Sequence, residues 1–198
     1  MQGKLRTIVL AAVLAGTLAT PALAHVGVGD HGGLAHGFMH PLGGLDHILA
    51  MVAVGMLAAH LGGGAMWLVP AAFIGMMTLG GVLGFAGVPL PFVEQGIALS
   101  VIVLGVLVAL GVGMPTALAM GIVGVFAVFH GHAHGTELPD GSAPAAYAAG
   151  FILATALLHA AGIGLGIAIE RLAARSRVWT TRMVGAVMAL LGVSLFAQ

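Results

Sequence analysis

The chain has 198 residues, 60% of them apolar, with six basic and six acidic side chains and no net charge. Charged residues make up 6%, against about 25% in an ordinary soluble domain, and the mean hydropathy is +1.15. So little charge excludes a soluble globular surface and a disordered chain, and the lack of a basic stripe excludes nucleic-acid binding.

What remains is an all-α polytopic membrane protein. There is no cysteine, so a thiolate metal site, an iron–sulfur cluster and a disulfide are all excluded. Any metal must be held by histidine, carboxylate, methionine or backbone groups. Ten histidines stand out against that background.

Residues 1–24 read as a secretory signal peptide. Lys4 and Arg6 form a positive start, a short apolar stretch follows, and Ala22-Leu23-Ala24 fits the small-x-small cleavage rule. Cleavage there would leave His25 as a new N-terminus, able to chelate a metal through its amine and its imidazole. Residues 25–39 form a His- and Gly-rich extracytoplasmic segment carrying His25, His31 and His36. It is expected to be flexible.

The rest, 40–198, divides into six expected transmembrane helices near 40–60, 66–86, 94–112, 115–131, 145–169 and 178–197. Breaks are expected at Gly62-Gly63-Gly64, at Pro89 and Pro91, at Gly113-Met114-Pro115, at Pro139-Asp140-Gly141 and from Glu170 to Arg177. Arg171, Arg175, Arg177 and Arg182 lie in or beside the last connection, which the positive-inside rule assigns to the cytoplasm. Both mature termini are then outside, in the periplasm of a bacterial inner membrane. Gly80 with Gly84, and Gly162 with Gly166, are small residues four apart. They would let helices approach closely, within the chain or between copies in a homo-oligomer.

Polar side chains in such spans are the informative ones, because a mid-bilayer charge is costly. The first cluster runs His36-Gly37-Phe38-Met39-His40-Pro41-Leu42-Gly43-Gly44-Leu45-Asp46-His47. Pro41 suits a first helical turn, which makes His40 the expected N-cap. In a regular helix His40 and His47 share a face, and Asp46 either ligates a metal or holds a ligating imidazole in its tautomer.

The second cluster is Phe129-His130-Gly131-His132-Ala133-His134-Gly135-Thr136-Glu137. His130 and His134 share a helical face, and His132 points elsewhere unless the glycines loosen the turn. Both clusters fall on the outer side and can form one site. His159 lies mid-span, one turn after Thr155, where it serves either a metal or proton path or packing, and His60 closes the first span. Glu94 suits the positive end of the third span's helix dipole. Met51, four residues after His47, is the one methionine placed to contribute. Imidazole with carboxylate suits Ni²⁺, Co²⁺, Zn²⁺ and Cu²⁺.

These two motifs, the leading signal, the histidine after it and the six spans resemble the HupE/UreJ family along essentially the whole chain. The resemblance implies a nickel or cobalt permease that supplies a nickel–iron hydrogenase or a urease. It also implies that His40, Asp46, His47, His130, His134 and Glu137 form the functional set. The expected activity is secondary uptake of a divalent ion, most simply Ni²⁺, with no enzyme chemistry and no Walker A sequence for ATP. Competing readings are an intramembrane zinc hydrolase with three histidines on the metal, a copper or zinc transporter or binding protein, and a bis-histidine haem protein.

Overall fold

The computed structural model describes residues 33–138, 143–172 and 176–197, without the side chain of Leu172. The expected signal peptide, His25 and His31, the break at Pro139-Asp140-Gly141 and Arg175 lie outside the described residues. Seven helices are seen: α1 (Gly33–Gly43), α2 (Leu45–Leu61), α3 (Ala65–Phe85), α4 (Val93–Leu110), α5 (Thr116–Thr136), α6 (Pro144–Leu172) and α7 (Arg177–Phe196). There is no strand among the described residues. α3 to α7 are each long and apolar enough to cross a bilayer, and α1 with α2 make a sixth span if the bent pair counts as one.

The helices stop where the sequence runs out of residues that can continue them. Gly62 and Gly63 take positive φ of 68° and 52° to turn the chain between α2 and α3. Pro115, extended in backbone, caps α5. Large apolar side chains such as Leu79, Val82, Val125, Leu153 and Leu190 are exposed, as lipid-facing positions are.

The first span departs from expectation. α1 and α2 meet at Gly44 with an 83° bend. His40 is therefore not an N-cap: it sits in the last turn of α1, with Pro41 buried behind it inside that helix. Residues 33–39 are helical too, so His36 does not lie in a flexible tail. The physical reason is contact with α6. A Cβ on Gly37 would collide with the Tyr147 backbone, and one on Gly150 would collide with Leu34. That glycine-to-backbone fit holds α1 across the start of α6 instead of in line with α2.

The same device pairs the other helices. α3 and α5 run in parallel. Cβ atoms on Gly80 and Gly84 would overlap the carbonyls of Val128 and His132, and those on Gly131 and Gly135 would overlap Met77 and Gly81. α2 and α6 meet through Gly55, Gly162 and Gly166, and α4 and α7 through Gly105 and Gly185. Without a hydrophobic drive between helices in lipid, such approach supplies the packing. The glycines at 80, 84, 162 and 166 are thus taken up within the chain, so copies would have to associate through other faces. Both tryptophans, Trp67 and Trp179, lie exposed in the first turns of α3 and α7. With Arg171, Arg177 and Arg182 they mark the end of the bundle remote from the histidine clusters.

Two glycines of α3 and α5 differ sharply in what a methyl group would meet. Gly131→Ala forces backbone apart and is expected to destabilise the protein by about 1–3 kcal/mol. Gly75→Ala meets nothing within 4 Å and is expected to be neutral or stabilising by about 0.5–1 kcal/mol. Thermal unfolding of the two variants in the same detergent checks the contrast.

Candidate metal centre

The bend at Gly44 brings the last turn of α1, the first turn of α2 and the last turn of α5 to one place. Asp46 folds back over the break. Its Oδ1 accepts both the backbone N–H and the Nδ1–H of His47, each at 2.8 Å. A Cβ on Gly44 would lie 2.6 Å from that oxygen and 2.9 Å from the His47 Nδ1, so only glycine leaves room for the pair. Because a carboxylate can only accept, His47 carries its proton on Nδ1 and its lone pair on Nε2.

That Nε2 faces the Nε2 of His134, 2.5 Å away. The His134 Nε2–H donates to it. The rings of His47 and His134 are 4.5 Å apart, and those of His40 and His134 are 4.7 Å apart. One ligand atom each from His40, His134 and Glu137 lies within 4.8 Å of the others. Ligands on one ion with bonds of about 2.1 Å sit about 3.4 Å apart in a tetrahedral site. A small inward movement of these side chains would therefore close a coordination shell.

His130 joins from below, its ring 4.8 Å from that of His47 and fully buried. The Ser100 hydroxyl donates to the Ile97 carbonyl at 2.6 Å and must therefore accept from His130 Nε2–H, at 2.9 Å. This fixes the lone pair of His130 on Nδ1, which is buried without a hydrogen-bond partner. Ser100 thus sets one imidazole as Asp46 sets another.

Electrostatics favour a cation here. The negative ends of α1 and α5 face the cluster against the positive end of α2, and Asp46 and Glu137 add formal charge. Glu137, half-exposed beyond the end of α5, has its carboxyl held above the usual carboxylate range by desolvation and then by the Glu94 charge. Glu94 sits in the first turn of α4, as its charge leads one to expect, and also acts on the cluster.

The remaining expected residues separate from this group. His132 turns away, and its Nε2–H donates to the Val88 carbonyl at 2.7 Å, tying α5 to the α3–α4 connection. His36 is exposed at the rim, 6.3 Å ring to ring from His40. His159 lies deeper on α6, and His60 is exposed in the last turn of α2. Sequence reasoning missed Ser100, Tyr147 and Phe151. Phe151 packs 4.2 Å from the His134 ring, and Tyr147 lies 6.1 Å from His40. The one available signal was that Tyr147 is the only tyrosine in the chain, one helical turn before Phe151.

Fold and site together define a polytopic helical membrane protein with an imidazole–carboxylate cluster at one end of its bundle. The chain belongs to the HupE/UreJ family, whose model, described as HupE / UreJ protein, matches residues 11–195. It is 51% identical over 179 residues to Protein HupE of Rhizobium leguminosarum bv. viciae, covering 90% of this chain and 92% of that one. No solved structure matches it.

If Asp46 presets His47, Asp46→Asn should weaken binding of any divalent transition metal ion by about 10–100-fold while leaving thermal stability without added metal little changed. Isothermal titration beside thermal unfolding checks this.

Proposed function

We propose that this protein takes up a divalent transition metal ion, Ni²⁺ in the first place and Co²⁺ in the second, through the cluster of His40, Asp46, His47, His130, His134 and Glu137. The observation that carries this reading is the convergence of four imidazoles and two carboxylates, from three helix ends, in an otherwise apolar bundle. Imidazole with carboxylate suits the borderline metals and not Mg²⁺ or Ca²⁺. Membership of the HupE/UreJ family supports a role in supplying hydrogenase or urease.

The cluster faces outward in a bacterial inner membrane, with the arginine-rich end in the cytoplasm. The histidines at 25, 31 and 36 capture the ion, and His40 and His134 with Glu137 strip its water. Inward movement is driven by the membrane potential, worth roughly 4.6 kcal/mol per 100 mV for a divalent ion, about a thousandfold in concentration. No ATP and no covalent chemistry are required, so we read the protein as a permease and not an enzyme.

In proteoliposomes with an inside-negative potential, the protein should admit Ni²⁺, and His47→Ala should abolish that uptake. Normal uptake by the folded variant would remove the site assignment. Uptake should also decline between about pH 7 and pH 5, because protons compete for every ligand atom. The raised affinity of the Glu137 carboxyl for protons starts its loss at a higher pH than for an ordinary carboxylate. Glu137→Gln should therefore remove the carboxylate's share of that decline, and an unaltered profile would contradict its role as a ligand.

A further inference from the structure

Tyr147, Phe151, Thr155 and His159 recur every fourth residue along α6, and all four are buried. That spacing forms one stripe on a helix, running about 18 Å from Tyr147 to His159. Its upper end touches the metal centre, where Phe151 packs on His134. Its lower end meets α3. The Thr155 hydroxyl donates to the Met77 sulfur at 3.8 Å, and the Phe73 ring stands edge-on to His159 at 5.1 Å. Phe73 also lies 5.7 Å from the ring of His130. A cavity of about 280 Å³, open on one side, has His134, Phe151 and Met77 in its walls, and it stops short of Thr155 and His159.

His159 itself is 1% exposed, and neither of its ring nitrogens has a hydrogen-bond partner. A neutral imidazole holds one N–H and one lone pair, and each unmet buried group costs about 1–3 kcal/mol. Packing does not require the imidazole. α2 and α6 meet at this level through backbone, with Gly55 against the His159 carbonyl and Gly162 against Val52. An apolar side chain would fill the same space without leaving polar atoms unpaired.

We propose that His159, with the Thr155 hydroxyl and the Met77 thioether, is a second station for the transported ion, in the middle of the membrane. The proposal rests on the transport reading above. One imidazole, one thioether and one hydroxyl suit a borderline transition metal and are poor ligands for Mg²⁺ or Ca²⁺. The station has no carboxylate, so it holds a divalent ion weakly, as a site must that receives an ion and passes it on. It would make the pathway selective twice, by a strong charged site at the mouth and a weak neutral one below.

The test compares two substitutions of similar volume in the full-length protein, reconstituted in proteoliposomes with Ni²⁺ outside and a metal-sensitive dye inside. His159→Leu removes the ligand, whereas His159→Met replaces it with another that cannot relay protons. We expect His159→Leu to lower the initial uptake rate on the order of tenfold. We expect His159→Met to stay within about threefold of the unaltered protein. Equilibrium Ni²⁺ binding at the outer cluster should be unchanged in both, which also reports that the fold is intact. Equal rates for the Leu and Met variants, fast or slow, overturn the proposal. If His159→Leu does not fold, Thr155→Val takes its place: slower uptake with unaltered outer binding supports the station, and the normal rate overturns it. The two readings fail distinguishably. A normal rate in His47→Ala, or no uptake by the unaltered protein, ends the transport reading and this proposal with it. Loss in His47→Ala together with a normal rate in His159→Leu ends the second station alone.

Discussion

Backbone contact at glycine is the constraint on which the rest of this molecule depends. The chain has six acidic and six basic side chains in 198 residues, the ion pairs among the described residues are those of His40 with Glu137 and His47 with Asp46, and in lipid there is little hydrophobic drive between helices. What orders the bundle is steric fit: α3 on α5 at Gly131 and Gly135, α2 on α6 at Gly55 and Gly162, and α1 on α6 at Gly37 and Gly150. Those contacts fix three helix ends, and the helix ends carry His40, His47 and His134. A polar cluster can persist there because protein surrounds it. Each of its imidazoles at 47, 130 and 134 is less than a tenth exposed.

The cluster then organises itself through proton placement. Asp46 holds one proton of His47, and Ser100 holds one proton of His130. Both leave a nitrogen lone pair free, and neither oxygen needs to touch an ion to act. Outer partners of this kind commonly govern metal affinity as strongly as the ligands themselves. The broken helix serves the same end. Gly44 gives room to the carboxylate and turns α1, so the negative ends of two helices face the same point.

Much of this was legible in the sequence because it rests on local pattern. The scarcity of charge gave the class, the apolar runs gave the spans, and the placement of one histidine motif at the start of its span and the other at the end of an opposed span put both on one side. Helical period also separated His132 from His130 and His134, and the structure sends it to the Val88 carbonyl. What was not legible depends on contacts between distant segments. Pro41 favours the first turn of a helix over its interior, and the fit of Gly37 against Tyr147 overrides that preference. Ser100 is a lone hydroxyl in an apolar helix, 30 residues from the histidine it orients. Phe151 looks like any lipid-facing aromatic until α5 places His134 against it.

The central claim is that the side chains of α1, α2 and the end of α5 close on a single transition metal ion. Anomalous diffraction at the nickel absorption edge, on crystals of the Ni²⁺-loaded protein, tests it most directly. The account predicts one strong peak at about 2.0–2.2 Å from imidazole nitrogens of both His47 and His134, with His40 or Glu137 completing the shell. A loaded crystal whose nickel lies elsewhere, with the imidazoles of His47 and His134 still hydrogen-bonded to each other, would contradict it.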